Sequence, residues 1–113
     1  MATITIRETT GTWTVRAGGA VIGETNAALA LSEGSYDDVI YFPRGDLAMA
    51  FLEPSEKTSH CPHKGDATYF SIATKSTILR DVAWSYENPK DDVAQIKDHI
   101  AFFPNDTVTV EEV

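Results

Sequence analysis

The chain has 113 residues, of which 42% are hydrophobic and 23% charged, and this composition predicts one globular domain over residues 1–113. Its 17 acidic and 9 basic residues give a formal net charge of -8, so we expect no binding to nucleic acid or to an anionic membrane surface. The single cysteine excludes an internal disulfide and paired-cysteine zinc sites. No signal-peptide core or membrane-spanning apolar run occurs, which predicts a cytoplasmic location and a reduced thiol.

The first third of the chain has the residue patterns of antiparallel strands. Apolar and polar residues alternate or β-branched residues cluster in four strand-like segments, which are 3–8, 11–17, 20–25 and 38–43. Gly18 and Gly19 predict a tight hairpin turn between the second and third of these segments. Residues 25–34 fit either a strand or a short helix that ends at Gly34.

The middle of the chain, residues 44–67, lacks a regular pattern. It contains two prolines and two glycines among small polar residues, together with apolar residues such as Leu47 and Phe51. We therefore predict an irregular segment that folds inward, and long structured loops of this kind often carry function.

Regular patterns return in the last part of the chain. Strand-like segments are predicted over residues 67–73, 76–86, 99–104 and 107–112. Between the second and third of these, Asn88 suits a helix N-cap, Pro89 the first turn, and Val93 and Ile96 a buried face. The predicted fold is mainly β, with one short helix near the C-terminus.

The segment SHCPHKG concentrates reactive side chains. Cys61, the only cysteine, could act as a nucleophile or redox thiol if Lys64 or a histidine stabilised its thiolate. Free cysteine is more commonly a buried small hydrophobe, and both interpretations stay open. Lys64 lies between Pro62 and Gly65 and could direct a cation into a cleft, although most lysines are solvated.

A metal site is not expected. His60 and His63 are three residues apart, but Pro62 disfavours the helix that would bring them together, and no HExxH pattern occurs. His99 follows the predicted helix and would stabilise its carbonyl end.

Other candidate ligand-binding residues lie on both sides of this segment. Arg44 and Asp46 could form an anion clamp or a weak surface ion pair. The polar residues Ser55 and Thr58 could contact a ligand or could stabilise turns. Three aromatic residues could line a pocket or pack in the core, and these are Tyr69, Trp84 and Tyr86. The sequence contains no phosphate loop, GxGxxG or GxSxG motif, so nucleotide hydrolysis and dinucleotide redox chemistry have no support.

An ordered series of motifs covering residues 11–112 resembles the bacterial family known as domain of unknown function 427. The motifs are VIYFPRGDL, FLEPSEKTSHCPHKGDATYFSI, DVAWSYENP and IKDHIAFFP. The resemblance carries the family's signature onto Arg44, Asp46, Pro54, Ser55, Thr58, Cys61, Lys64, Gly65, Ala67, Tyr69, Trp84 and Tyr86. His63 departs from it, because relatives usually have tyrosine or tryptophan at this position. His63 is also a candidate ligand-binding residue, and its ring would change the polarity of the cleft if it lines it.

The resemblance implies a β-tent-like fold, in which two antiparallel sheets meet at an angle and enclose a cleft. Many β-tent relatives bind zinc through CxxC pairs, which are absent here, so neither a metal nor another cofactor is expected. The family carries no known reaction to this chain.

Three functional hypotheses follow. The first is that Lys64 and Arg44 bind a small anionic or carbonyl-bearing molecule in a cleft with aromatic walls, with or without catalysis by Cys61. The second is a non-catalytic module that recognises a metabolite, a peptide or a protein partner. The third is that these residues only maintain the fold. Exposed edge strands could also allow a homodimer.

Overall fold

The computed structural model describes residues 3–113, and the first two residues of the predicted domain 1–113 lie outside this range. The described chain is mainly β, as predicted. Its strands are β1 (Ile4–Glu8), β2 (Trp13–Ala17), β3 (Ala20–Thr25), β4 (Leu29–Glu33), β5 (Val39–Tyr41), β6 (Leu52–Cys61), β7 (Gly65–Ala73), β8 (Ile78–Ser85), β9 (Ile100–Phe102) and β10 (Val108–Glu112). Short 3-10 helices span Arg44–Asp46, Met49–Phe51 and Asp91–Ile96.

The strands form three antiparallel sheets within residues 3–113, in the orders β1–β4–β5, β10–β2–β3 and β6–β7–β8–β9. The resemblance implied two sheets, so the described residues form one sheet more than expected. Phe42 and Ile100 exchange both backbone hydrogen bonds, at 2.8 and 2.9 Å, in an isolated bridge that links β5 to β9. Because the pairing is confined to this one bridge, the first and third sheets adjoin there but remain separate ladders.

The four-stranded sheet contributes to two hydrophobic clusters. Phe70 and Ile72 of β7 pack in a cluster that includes residues of β2, β3 and β10. Ala67 and Tyr69, at the alternate positions of the same strand, pack in a cluster that includes residues of β4 and β5. Since side chains alternate between the two faces of a strand, each face of this sheet is covered by a different three-stranded sheet.

Most of the predicted strands are confirmed, including the β2–β3 hairpin at Gly18 and Gly19, which have positive φ values of 57° and 84°. The ambiguous residues 25–34 contain strand β4. No helix among residues 3–113 is long and apolar enough to cross a membrane.

The structure corrects one sequence prediction and refines another. The irregular segment expected over residues 44–67 includes the ten-residue strand β6. This strand lies at the edge of its sheet and its register shifts between Pro54 and Thr58, so it tolerates a proline and mostly polar residues. The helix near the C-terminus is a 3-10 segment, Asp91–Ile96, interrupted by the non-helical backbone of Val93, and it begins after Pro89.

Candidate functional site

The position of Lys64 is fixed by the turn between β6 and β7. Cys61 pairs with Gly65 across the hairpin, and the Lys64 backbone nitrogen donates to the Cys61 carbonyl oxygen at 3.1 Å. Pro62 occupies the second position of this four-residue turn, where its ring restricts the backbone. The Lys64 carbonyl oxygen accepts a hydrogen bond from the Lys90 nitrogen at 2.9 Å. Both backbone polar groups of Lys64 are therefore bonded.

The Lys64 side chain is buried and forms an ion pair. Lys64 as a whole residue is 9% exposed, and its Nζ donates a hydrogen bond of 2.9 Å to Oε1 of Glu33, the last residue of β4. Burial of the ammonium group lowers the pKa of Lys64, but the Glu33 hydrogen bond, Tyr86 and Cys61 raise it more, so the net pKa lies above its ordinary value. Lys64 is consequently a cationic hydrogen-bond donor near neutral pH.

The Lys64–Glu33 pair lies at the wall of an aromatic cavity of about 400 Å³ between the β1–β4–β5 sheet and the four-stranded sheet. The lining residues are Leu31, Glu33, Tyr36, Asp37, Val39, Tyr41, Lys64, Tyr69, Trp84, Tyr86 and Phe103. The Lys64 ammonium lies 5.9 Å from the centre of the Tyr86 ring. Most of the wall is apolar, and a few polar groups are placed where they could orient a ligand.

The aromatic walls are held by contacts between rings. Trp84 packs edge-to-face against Tyr41, with ring centres 6.4 Å apart, and its Nε1 donates to the Tyr41 hydroxyl at 3.3 Å. Phe103 lies 4.3 Å from Trp84 between ring centres and stacks on Tyr69 at 6.4 Å. Burial raises the pKa of Tyr41 and of Tyr86, although the Lys64 charge opposes the shift at Tyr86. Both phenols are therefore neutral at physiological pH.

Of the residues predicted from sequence, the cavity brings together Lys64, Tyr69, Trp84 and Tyr86. Arg44 is not among the described residues that line it. The Arg44 guanidinium lies 5.3 Å from the centre of the Phe70 ring, and Phe70 belongs to the cluster on the other face of the sheet. The two cations proposed to share one cleft therefore lie against opposite faces of the four-stranded sheet.

Arg44 instead joins the 3-10 helix Arg44–Asp46 to the chain around β8. Nε donates to the carbonyl oxygen of Asp98 at 2.7 Å, and a terminal nitrogen donates to the Ser85 hydroxyl at 3.0 Å. The same nitrogen forms an ion pair with Glu87 at 2.8 Å. Arg44 thus donates to the buried Ser85 hydroxyl and to the carbonyl of Asp98, a residue with positive φ. These contacts indicate a structural role for Arg44.

The other polar candidates are also distributed over the fold. Asp46 accepts a hydrogen bond from the Thr25 hydroxyl at 2.7 Å. The Ser55 hydroxyl donates to the Asp81 carboxylate at 2.5 Å, at the edge of the sheet. Thr58 is exposed and lies opposite Thr68 in the β6–β7 ladder. None of Asp46, Ser55 and Thr58 is among the described residues that line the cavity.

Cys61 and His63 lie near the cavity without belonging to its described lining. Cys61 is half-buried and packs against the cluster shared with β4 and β5, whereas His63 is exposed at the turn. His60 is hydrogen-bonded to Asp66 at 2.7 Å. Among residues 3–113, no three histidine, cysteine, aspartate or glutamate side chains lie close enough together to hold a metal ion.

Seven of the described lining residues were not predicted as site residues from the sequence, and these are Leu31, Glu33, Tyr36, Asp37, Val39, Tyr41 and Phe103. Tyr41 and Phe103 occur in predicted strands, and an aromatic residue in a strand is a possible wall residue. No sequence pattern marks Glu33, because its contact with Lys64 depends on the tertiary packing that brings the end of β4 within reach of the β6–β7 turn. That proximity joins residues 31 positions apart.

Comparison with known proteins assigns the chain to a family. A family model described as a domain of unknown function (DUF427) matches residues 5–113. The matched range includes every described residue that lines the cavity. A search of the curated proteins finds no match.

Proposed function

We propose that this chain, which belongs to the DUF427 family of domains of unknown function, binds a small, flat molecule with a carbonyl oxygen in the aromatic cavity. The observation that carries the proposal is the buried Lys64 ammonium in the cavity wall. An ammonium has three N–H donors, and Glu33 accepts one of them. The remaining donors could bond an acceptor atom of a ligand.

The charge around Lys64 favours a carbonyl oxygen over a full anion. Glu33 already balances the ammonium at 2.9 Å, and Asp37 adds a second carboxylate to the cavity lining. The chain as a whole carries a formal charge of -8. An anionic ligand would therefore meet an unfavourable field, whereas a neutral carbonyl gains a charge-assisted hydrogen bond without adding charge.

The shape and chemistry of the wall favour a flat, mainly apolar body. Four aromatic residues of the four-stranded sheet and its flanks line the cavity, namely Tyr69, Trp84, Tyr86 and Phe103. Such rings gain from both burial of apolar area and offset or edge-to-face contact with a ligand ring. An aryl ketone is the simplest compound with both properties.

Equilibrium titrations with acetophenone, ethylbenzene and benzoate test this proposal, because these probes share a phenyl ring and differ in the polar group. Trp84 fluorescence in a Trp13→Phe background reports binding, since the chain has two tryptophans and only the Trp84 signal then remains. We expect acetophenone to bind more tightly than ethylbenzene and benzoate. A charge-assisted hydrogen bond of about 1.5–3 kcal/mol corresponds to roughly a 10- to 100-fold preference for acetophenone over ethylbenzene.

Lys64→Met should remove this preference because it keeps an unbranched side chain but lacks the ammonium. Lys75→Met is the matched control, since Lys75 is exposed on the turn between β7 and β8. Equal affinities for acetophenone and ethylbenzene, or an unchanged preference in Lys64→Met, would refute carbonyl recognition by Lys64. Failure of acetophenone to bind the native protein would refute the proposed function.

Catalysis by Cys61 is the alternative function. Its support is that the half-buried Cys61 thiol is one of the groups that raise the pKa of Lys64. The rate of Cys61 alkylation as a function of pH tests this alternative. A rate equal to that of a free cysteine at every pH would remove the case for nucleophilic catalysis.

A further inference from the structure

A second pocket, of about 520 Å³, adjoins the aromatic cavity. It is lined by Arg7, Thr9, Trp13, Ala30, Asp37, Asp38, Val39, Ile40, Trp84, Phe102, Phe103, Pro104 and Val110. Asp37, Val39, Trp84 and Phe103 also line the aromatic cavity. The two spaces therefore lie side by side and share one wall.

The shared wall has a fixed side and an exposed side. Trp84 is fixed by its hydrogen bond to Tyr41 at 3.3 Å. Phe103, whose ring centre is 4.3 Å from that of Trp84, is 44% exposed. The Phe103 side chain is held by ring contacts without a hydrogen bond, so it is the part of the shared wall that could move to connect the two pockets.

Most residues that line the second pocket are apolar, and two of its three charged residues, Arg7 and Asp38, form an ion pair. One Arg7 nitrogen contacts the Asp38 carboxylate at 2.6 Å, and another donates to the Ser32 hydroxyl at 2.9 Å. Hydrogen bonds from Ser32 and Arg7 lower the pKa of Asp38 and keep it ionised. Because Arg7 is already engaged, the pocket offers apolar area in place of a free cation.

We infer that the two pockets are subsites for one elongated ligand, with a carbonyl-bearing aromatic head at Lys64 and an unbranched apolar tail that passes Phe103 toward Val110. The inference rests on the proposed function and adds the class of ligand to it. The shared wall favours one ligand over two independent ones, because a ligand in the aromatic cavity that extends past Phe103 enters the second pocket directly. The tail is apolar because apolar side chains, including those of Trp13, Phe102 and Val110, line most of the second pocket.

A series of n-alkyl phenyl ketones, from acetophenone to hexanophenone, tests the inference by isothermal titration calorimetry. Calorimetry needs no Trp13→Phe change, so Trp13 stays in the lining of the second pocket. Each buried methylene contributes about 0.8 kcal/mol, so the affinity of the native protein should increase roughly three- to fourfold per added methylene. The increase should stop when the pocket is filled.

Val110→Trp and the smaller change Val110→Phe identify where the tail lies, because both add bulk to the second pocket and leave the described lining of the Lys64 cavity unaltered. We expect acetophenone affinity to stay within twofold of native while the gain per methylene disappears. Retained acetophenone binding also shows that the variant is folded, and Val110→Phe decides the result if Val110→Trp does not fold.

Two outcomes overturn the inference while leaving the proposed function intact. One is Lys64-dependent binding of acetophenone with no gain along the series in the native protein. The other is an unchanged gain per methylene in both Val110 variants, which would place the tail outside the second pocket. If acetophenone itself does not bind, the proposed function fails, and the inference fails with it.

Discussion

Removal of the Lys64 ammonium should destabilise the fold substantially, because it leaves the Glu33 carboxylate without its partner. The two side chains are 11% and 20% exposed and their charged atoms lie 2.9 Å apart. Breaking a fully buried pair costs about 3–5 kcal/mol, and an exposed pair contributes about 0–1 kcal/mol. We expect Lys64→Met to lower the free energy of unfolding by about 2–4 kcal/mol, measured by urea denaturation near neutral pH.

A double-mutant cycle isolates the interaction from other effects of the substitution. Glu33→Gln alone should also destabilise, whereas the double variant Lys64→Met/Glu33→Gln should lose at least about 1 kcal/mol less than the sum of the single changes. The exposed pair Arg7–Asp38 provides the matched control, because its side chains are 55% and 40% exposed at a similar distance of 2.6 Å. Its coupling should stay below about 1 kcal/mol. Additive losses at Lys64 and Glu33 would refute the argument.

Three further predictions concern the scaffold of the site. Arg44→Ala should lower the free energy of unfolding by about 2–3 kcal/mol in urea denaturation, since a buried serine hydroxyl and a backbone carbonyl lose their donor, but acetophenone affinity should not change. Gly65→Ala should cost about 1–3 kcal/mol because Gly65 has φ +116°, whereas Gly45→Ala, in open space, should be nearly neutral; equal losses would contradict this reasoning. Denaturation at increasing pH should show the free energy of unfolding falling above about pH 10. The raised pKa values of Tyr41 and Tyr86 keep these phenols protonated in the folded state while the same groups ionise in the unfolded chain. Tyr86→Phe should make this fall less steep.

Local patterns were sufficient to predict most of the strands, because alternation and glycine turns act over a few residues. The β2–β3 hairpin is an example, since two adjacent glycines with positive φ supply its turn. Strand β6 was missed because its hydrogen bonds lie on one side only, with β7, and Pro54 coincides with the shift in register. An edge strand with polar side chains has no local pattern that separates it from a loop.

The candidate site was predictable only on one side of the cavity. Lys64, Tyr69 and Trp84 lie in one hairpin and its neighbouring strand, so motif order and strand pattern grouped them. The opposite wall, including Glu33 and Tyr41, comes from another sheet, and its approach depends on long-range packing that no short segment encodes.

The alternation of β7 and β8 explains why Arg44 and Lys64 could not be assigned to one cavity from sequence. Tyr69 pairs with Trp84 on the face toward β5, whereas the next residue, Phe70, pairs with Ala83 on the opposite face. A shift of one residue in register would exchange the two faces, and with them the side chains near Lys64 and those near Arg44. Arg44 contacts Phe70 and therefore belongs to the packing between the four-stranded sheet and β2–β3. Lys64 is consequently the single cation in the described lining of the aromatic cavity, and its pairing with Glu33 makes donation to a neutral acceptor the chemistry that this wall can offer.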